Sequence, residues 1–341
     1  MEKIAVDAMG GDFAPLEIVL GAIQAVRDFH IPVVLVGDEG QIRDILKKNG
    51  ADNDPLIAVH HASQVIAMDE HPGMAYRKKR DASVSVGARL VRSGECGALV
   101  APGSTGAAVT AGLFGIRGIE RPAILTPIPN KKGGYTYLID SGASAQAKAI
   151  NLVQNAVLGY WYAKRVQHID DPKIGLLNIG TESTKGSPLV AEVYELLEKQ
   201  HLFTFAGNCE GRDIPTGDFD VVGFTGNVVL KFGEGVGGLF FELLKDAVHM
   251  GGLRAKLGAL LLKPALKQYM MKRVDYSEYG GAPLLGLRGG LVICHGASKA
   301  WAIRNAIRAA EQIASEHIPE LVADALKGES LAVADLEEMK E

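Results

Sequence analysis

Short runs of β-branched and other apolar residues alternate along this chain with stretches whose apolar positions recur every three or four residues. Ile4-Ala5-Val6 reads as a first strand, ending in the turn Asp7 to Asp12. Pro15 then opens a helix whose apolar face is Leu16, Val19, Leu20, Ile23 and Val26. Val33 to Val36 predicts a second strand, with Asp38 placed to cap a helix from Gln41 to Lys48. Ile57 to Val59 predicts a third strand and Ser85 to Arg92 a helix. Gly97 to Ala101, Tyr135 to Ile139, Ile174 to Ile179, Leu202 to Phe205, Asp220 to Val222 and Leu291 to Cys294 complete the strands. Strands that alternate with helices pair in parallel and carry helices on both faces. The expected fold is a doubly wound, mostly parallel α/β sandwich.

Residues 251 to 290 break the pattern. Leu, Lys and Gly dominate there, followed by an expected loop from Tyr276 to Gly290. From about residue 328 the chain is acidic and predicts a loose tail. Residues 1–327 are thus expected to form one large α/β domain, with 251–290 as a basic and apolar insertion of helix and loop.

Composition narrows the functional classes. Of 341 residues, 47% are hydrophobic and 22% charged, enough to build a sizeable core. The 41 glycines, without repeat periodicity, predict many tight turns. A formal net charge of -4 provides no global field for nucleic acid. Cys96, Cys209 and Cys294 have no CxxC spacing, so neither a disulfide framework nor a zinc site is expected, and a reducing cytoplasm is the default. The opening MEKIAVDAMGGD lacks the apolar stretch of a signal peptide, and no apolar run is long enough to predict a membrane span.

The chemistry is expected where strands end. Six strand ends run into loops rich in small or polar residues: Asp7 to Asp12, Pro102 to Ala107, Asp140 to Ser144, Gly180 to Gly186, Gly223 to Asn227 and His295 to Lys299. In an open parallel sheet such loops share the carboxyl edge, where ligands bind. Each precedes a helix start, whose free N–H groups favour an anion. One such loop is ordinary turn chemistry; six on one edge predict a cleft that handles phosphate.

Standard motifs do not account for it. Gly180 to Gly186 lacks Walker spacing, because Gly follows Lys185. Gly233 to Gly238 matches GxGxxG, but a poor strand precedes it and Leu239, Phe240, Leu243 and Leu244 continue as a helix face. His60 and His61 read as strand-end surface residues. Cys294 beside His295 hints at a nucleophile, yet the pattern of Leu291 to Cys294 predicts a packed thiol. Neither HExxH nor GxSxG is present. A reaction without a covalent nucleophile or metal is expected.

At these loops the chain resembles the PlsX family of phosphate acyltransferases. The strings IAVDAMGGDFAP at the start, RGIERPA at 117–123, GLLNIGTESTKG at 175–186, GFTGNVVLK at 223–231, KLGALLLKPAL at 256–266, DYSEYGGAPLLG at 275–286 and VICHGAS at 292–298 carry the resemblance, which runs to about residue 315. It implies a Rossmann-like sandwich, a homodimer and no organic cofactor. The implied reaction moves a fatty acyl group from acyl carrier protein to inorganic phosphate, giving acyl phosphate for phospholipid synthesis. Lys185 is the implied charged donor and Asn227 the neutral one, with Asn227 also suited to cap a helix. Gly103, Ser104, Thr105, Gly106, Asp140, Ser144, Thr181, Glu182, Thr225, His295 and Ser298 are expected to line the substrate and phosphate site. The chain departs from the family pattern at Ser104, Ser144 and Lys299, and it lacks an acid before Gly223.

Residues 253 to 273 carry Arg254, Lys256, Lys263, Lys267, Lys272 and Arg273 and no acid. On a helical projection Leu253, Leu257, Leu260 and Leu261 fall together beside Lys256, Lys263 and Lys267; Leu262 falls on the far side and Pro264 predicts a break. Such a helix suits an anionic membrane surface or acidic carrier protein. Alternatively the leucines pack in a dimer interface. The resemblance implies a cytoplasmic protein held peripherally at the inner face of the cell membrane. Two further readings stay open: an enzyme of phosphotransacetylase type that uses acyl-CoA, and a catalytically impaired membrane-associated scaffold.

Overall fold

A computed structural model of the chain describes residues 1–144, 146–223, 228–266, 269 and 275–327. Thr225, Asn227, Lys267 and the acidic segment from 328 lie outside the described residues. The strands are β1 (Ile4–Asp7), β2 (Val33–Gly37), β3 (Ile57–His61), β4 (Ala98–Ala101), β5 (Gly118–Pro129), β6 (Tyr135–Ile139), β7 (Lys173–Leu177), β8 (Thr204–Cys209), β9 (Val221–Gly223), β10 (Ala282–Leu287) and β11 (Gly290–Ile293). They form one 11-stranded sheet in the order β3-β2-β1-β4-β11-β10-β5-β6-β9-β7-β8. The helices are α1 (Leu16–Phe29), α2 (Glu39–Lys48), α3 (Pro72–Lys78), α4 (Ser83–Arg92), α5 (Thr105–Thr110, continued by a π-helical turn Ala111–Ile116), α6 (Ala149–Arg165), α7 (Pro188–Lys199), α8 (Val228–Met250), α9 (Gly252–Leu266), α10 (Ala300–Ser315) and α11 (Ile318–Lys327).

The central strands β2, β4 and β11 carry only apolar residues because both faces are covered. Ile4, Val6, Val33, Leu35, Ala98 and Val100 join one core with α1, α2, α6 and α10. Their neighbours Ala5, Val36, Leu99 and Ala101 point the other way, into a core shared with α4 and α5. Asp38 caps α2 as expected, its Oδ1 accepting from the Gln41 amide at 2.9 Å. Leu16, assigned to the apolar face of α1, is 51% exposed and belongs to the rim.

Two strands go unread in the sequence, and they set the architecture. β5 contains Pro122, Pro127 and Pro129, which argue against a strand. It tolerates them because its first half ladders only with β10, up to Ile124, and its second half only with β6, from Leu125 onward. Each half therefore has an open side where a missing N–H forfeits no ladder bond. β10 lies inside the segment expected to be a loop, Tyr276 to Gly290, among Gly280, Gly281 and Gly286.

β5 also reverses the sheet. Strands β3, β2, β1, β4 and β11 are mutually parallel. β10 is antiparallel to β11 and to β5, and β6 is antiparallel to β5. β9, β7 and β8 then run parallel with β6. The two halves thus run in opposite directions along one sheet. Ile293, ending β11, pairs with Ala282, and Leu284 pairs with Ile124. Ile139, ending β6, pairs with the next residue, Leu125. Both carboxyl rims therefore converge on Ile124–Leu125 and face each other. The expectation that all six loops share one rim is corrected: they divide between two.

Leu125 is 0% exposed at this junction, whereas Leu253 is 75% exposed on α9. Leu125→Ala is expected to lower stability by about 2–5 kcal/mol, and Leu253→Ala to change it by no more than about 0.5 kcal/mol. Equal urea midpoints for the two variants would contradict the packing described.

Candidate active site

The first rim is stitched together by backbone contacts among small residues. The Asp7 carboxylate accepts from the amides of Met9 and Gly10, both at 3.1 Å. A side chain on Gly10 would meet Asp7 Oδ2 at 2.8 Å and the Gly103 nitrogen at 2.9 Å, so the loops after β1 and β4 touch because residue 10 is glycine. Gly11, at φ +92°, lies against the Pro102 carbonyl, and the Asp12 amide donates to the Gly296 carbonyl at 2.8 Å. Burial pushes the Asp7 carboxyl above its usual range. Ser104 caps α5 by accepting from the Ala107 amide at 3.5 Å, which leaves Thr105 exposed on the rim. His295 Nδ1 accepts from the Ala297 amide at 3.1 Å, fixing the ring. Ser298 is 1% exposed and packs beneath this loop.

On the second rim Asp140 organises its loop. Its Oδ1 accepts from the amides of Ile124, Gly142 and Ala143 at 2.9–3.1 Å, and its Oδ2 from Ser144 at 2.8 Å. A carboxylate holding four amides builds the turn. Ser144 lines a separate cavity of about 330 Å³ with Glu120 and Arg121. The loop after β7 is shaped by Asn178, whose Nδ2 donates to the Lys185 carbonyl at 2.8 Å, and by Asn208, whose Nδ2 donates to the Glu182 carbonyl at 2.8 Å. Thr181, Glu182 and Lys185 are exposed on it.

Where the rims meet there is a cleft of about 460 Å³. The first rim lends it Thr105, Ile293, Cys294 and His295, and the second lends Ser141 and Gly142. Ile124, Thr126 and Pro127 of β5 form the joint between them, with Leu230 and Lys231 of α8 and the segment Tyr279 to Ala282 completing the wall. Of the residues singled out from the sequence, Thr105 and His295 line this cleft, while Gly103, Ser104 and Gly106, beside Thr105, are outside its lining. Lys185 is outside its lining. Ser141 lies in one of the loops quoted from the sequence, and Lys231 and Tyr279 lie in strings that carry the family resemblance, but none was assigned a role; Thr126 gave no signal.

The chemistry of the lining is one-sided. Among the described residues that line the cleft there is no Asp or Glu, and Lys231 and His295 are its basic groups. Ser141 Oγ donates to the Ile124 carbonyl at 3.1 Å, so Thr126 Oγ1, 2.5 Å from Ser141 Oγ, is the donor of that pair. The Cys294 thiol is 2% exposed and burial pushes it up to about 12, so it is a packed thiol, as expected, and not a thiolate nucleophile. The GxGxxG glycines, Gly233 to Gly238, lie in the interior of α8 and form no phosphate loop.

α8 and α9 pack on each other, and their large apolar side chains face outward. Leu253, Leu257, Leu260 and Leu261 are all exposed, as are Lys256 and Lys263; Leu262 is exposed too, so α9 has no buried leucine face. Pro264 does not stop the helix, which continues to Leu266. Among the described residues no helix is long and apolar enough to cross a membrane.

The fold is similar to that of solved phosphotransacetylases. One from Streptococcus pyogenes matches with a TM-score of 0.59 and 19% identity, covering 92% of this chain and 94% of that one. EutD phosphotransacetylase from Staphylococcus aureus matches at 0.55 and 16%, covering 91% and 94%. At such identities the likeness is one of fold. The relatives in sequence are more specific. Phosphate acyltransferase of Pelotomaculum thermopropionicum is 48% identical over 316 residues, 91% of each chain. That of Heliobacterium modesticaldum is 50% identical over 331 residues, 93% of this chain and 98% of the relative. Residues 2–321 match the model of the fatty acid synthesis protein family, so the chain belongs to that family and is an acyltransferase.

Proposed function

We propose that the protein transfers a long-chain fatty acyl group from acyl carrier protein to inorganic phosphate, releasing acyl phosphate for phospholipid synthesis. The observation that carries this reading is the cleft, free of acids among the described residues, in which hydroxyl and basic groups from both rims converge. In the reaction a phosphate oxygen bonds to the thioester carbonyl carbon. The carbon–sulfur bond then breaks, and the carrier thiol leaves with the proton lost by phosphate. Negative charge develops on the carbonyl oxygen as the bond forms, so donors fixed beforehand lower the barrier. Thr105 and His295 face this space from the first rim, and the apolar residues Ile124, Pro127 and Ile293 suit the acyl end. Lys185, on the second rim, is our charged donor to the reacting oxygens, and Asn227, just before α8, is the neutral one.

The outward apolar face of α8 and α9, with Lys256 and Lys263 beside it, is our candidate for contact with an anionic membrane surface. A second copy of the chain is the competing cover.

The decisive assay incubates purified protein with long-chain acyl carrier protein and phosphate, trapping acyl phosphate with hydroxylamine, with acyl-CoA as the parallel donor. Carrier-dependent product is expected, and Lys185→Ala should lower kcat by about 10²-fold. Product from acyl-CoA alone would favour the phosphotransacetylase type of reaction. No phosphate-dependent thioester cleavage with either donor would favour the scaffold. Flotation should bring the protein up with anionic vesicles and not with zwitterionic ones, and Leu257→Asp should abolish it. Flotation that ignores lipid charge and Leu257→Asp would refute the membrane assignment.

A further inference from the structure

We propose that Lys231 holds the phosphate dianion in the cleft, as a phosphate-binding residue separate from Lys185; this rests on the reaction proposed above. Lys231 is the fourth residue of α8 and lines the cleft together with Leu230. It stands there facing Thr105 of the first rim, so one anion between the rims can meet the ammonium from α8 and the Thr105 hydroxyl.

The need for a cation at this place follows from the lining. Phosphate near neutral pH is a mixture of monoanion and dianion. Bringing it against Ile124, Pro127 and Ile293 removes water that had solvated those charges. Compensation must come from the wall, which among the described residues offers no other lysine or arginine. Lys185 sits on the exposed loop after β7, two strands away from β6 in the sheet order. A compact ammonium on a flexible stem suits a ligand that must arrive, react and leave as part of the product.

The division of labour between the two lysines is testable by kinetics. Lys231→Met should raise KM for phosphate by about 10–100-fold, with KM for the acyl donor unchanged within about 2-fold, and Lys231→Arg should restore most of the loss. Lys185→Ala should instead act on kcat. Direct titration with inorganic phosphate, followed by ³¹P NMR, separates the possible failures. Wild type that binds no phosphate would overturn the reaction proposed above. Wild type that binds phosphate, with Lys231→Met binding it equally well, would overturn only the role of Lys231. A Lys231→Met variant whose KM rises for the acyl donor instead of for phosphate would overturn it too, and circular dichroism of each variant checks that folding is intact.

Discussion

A parallel half-sheet offers ligands only its carboxyl rim, because there the loops lead into helix starts and present their N–H groups. Two such halves side by side in one direction would give a single long rim, open to solvent. Here β5 runs antiparallel to β6, so the second half is inverted and its rim faces that of the first. The enclosed space exists because of this pairing at Ile124 and Leu125. Every donor assigned to the cleft depends on it.

Each rim is organised by a buried aspartate at a strand end. Asp7, ending β1, gathers the amides of Met9 and Gly10, and Asp140, following β6, gathers four amides from Ile124 to Ser144. Both carboxyl groups are satisfied inside the loops they build, with 4% exposure each, and neither lines the cleft. The space between the rims is consequently lined by hydroxyls, apolar groups and basic nitrogen. That division suits a thioester with a long apolar tail meeting an inorganic dianion.

Much of the fold was legible in the sequence, for a physical reason. Strands buried on both faces read as unbroken apolar runs, and a cap such as Asp38 marks a helix start locally. β5 and β10 were illegible because their prolines and glycines are tolerated only by particular ladder positions, which are a property of the pairing. For the same reason the six loops were recognisable as anion-binding turns, but their division between facing rims was not. The site shows a matching pattern. Thr105 and His295 were found through their loops, whereas Asp140 was taken for a ligand and holds its own turn. Lys231 had a usable signal, a lone cation in the first turns of the helix after GFTGN, outweighed by the more obvious Lys185. The hydrophobic pattern of α9 predicted one apolar face, yet Leu262 on the opposite side is also exposed, because only α8 packs against that helix among the described elements.

The claim that the two rims act together on one anion is tested most directly by a crystal structure with arsenate, a phosphate isostere located by its anomalous signal. The account predicts a single peak between the rims, within hydrogen-bond distance of Lys231 on α8 and of the Thr105 hydroxyl on the first rim. A peak bound by one rim alone, or lying at the loop after β7 away from the cleft, would contradict it.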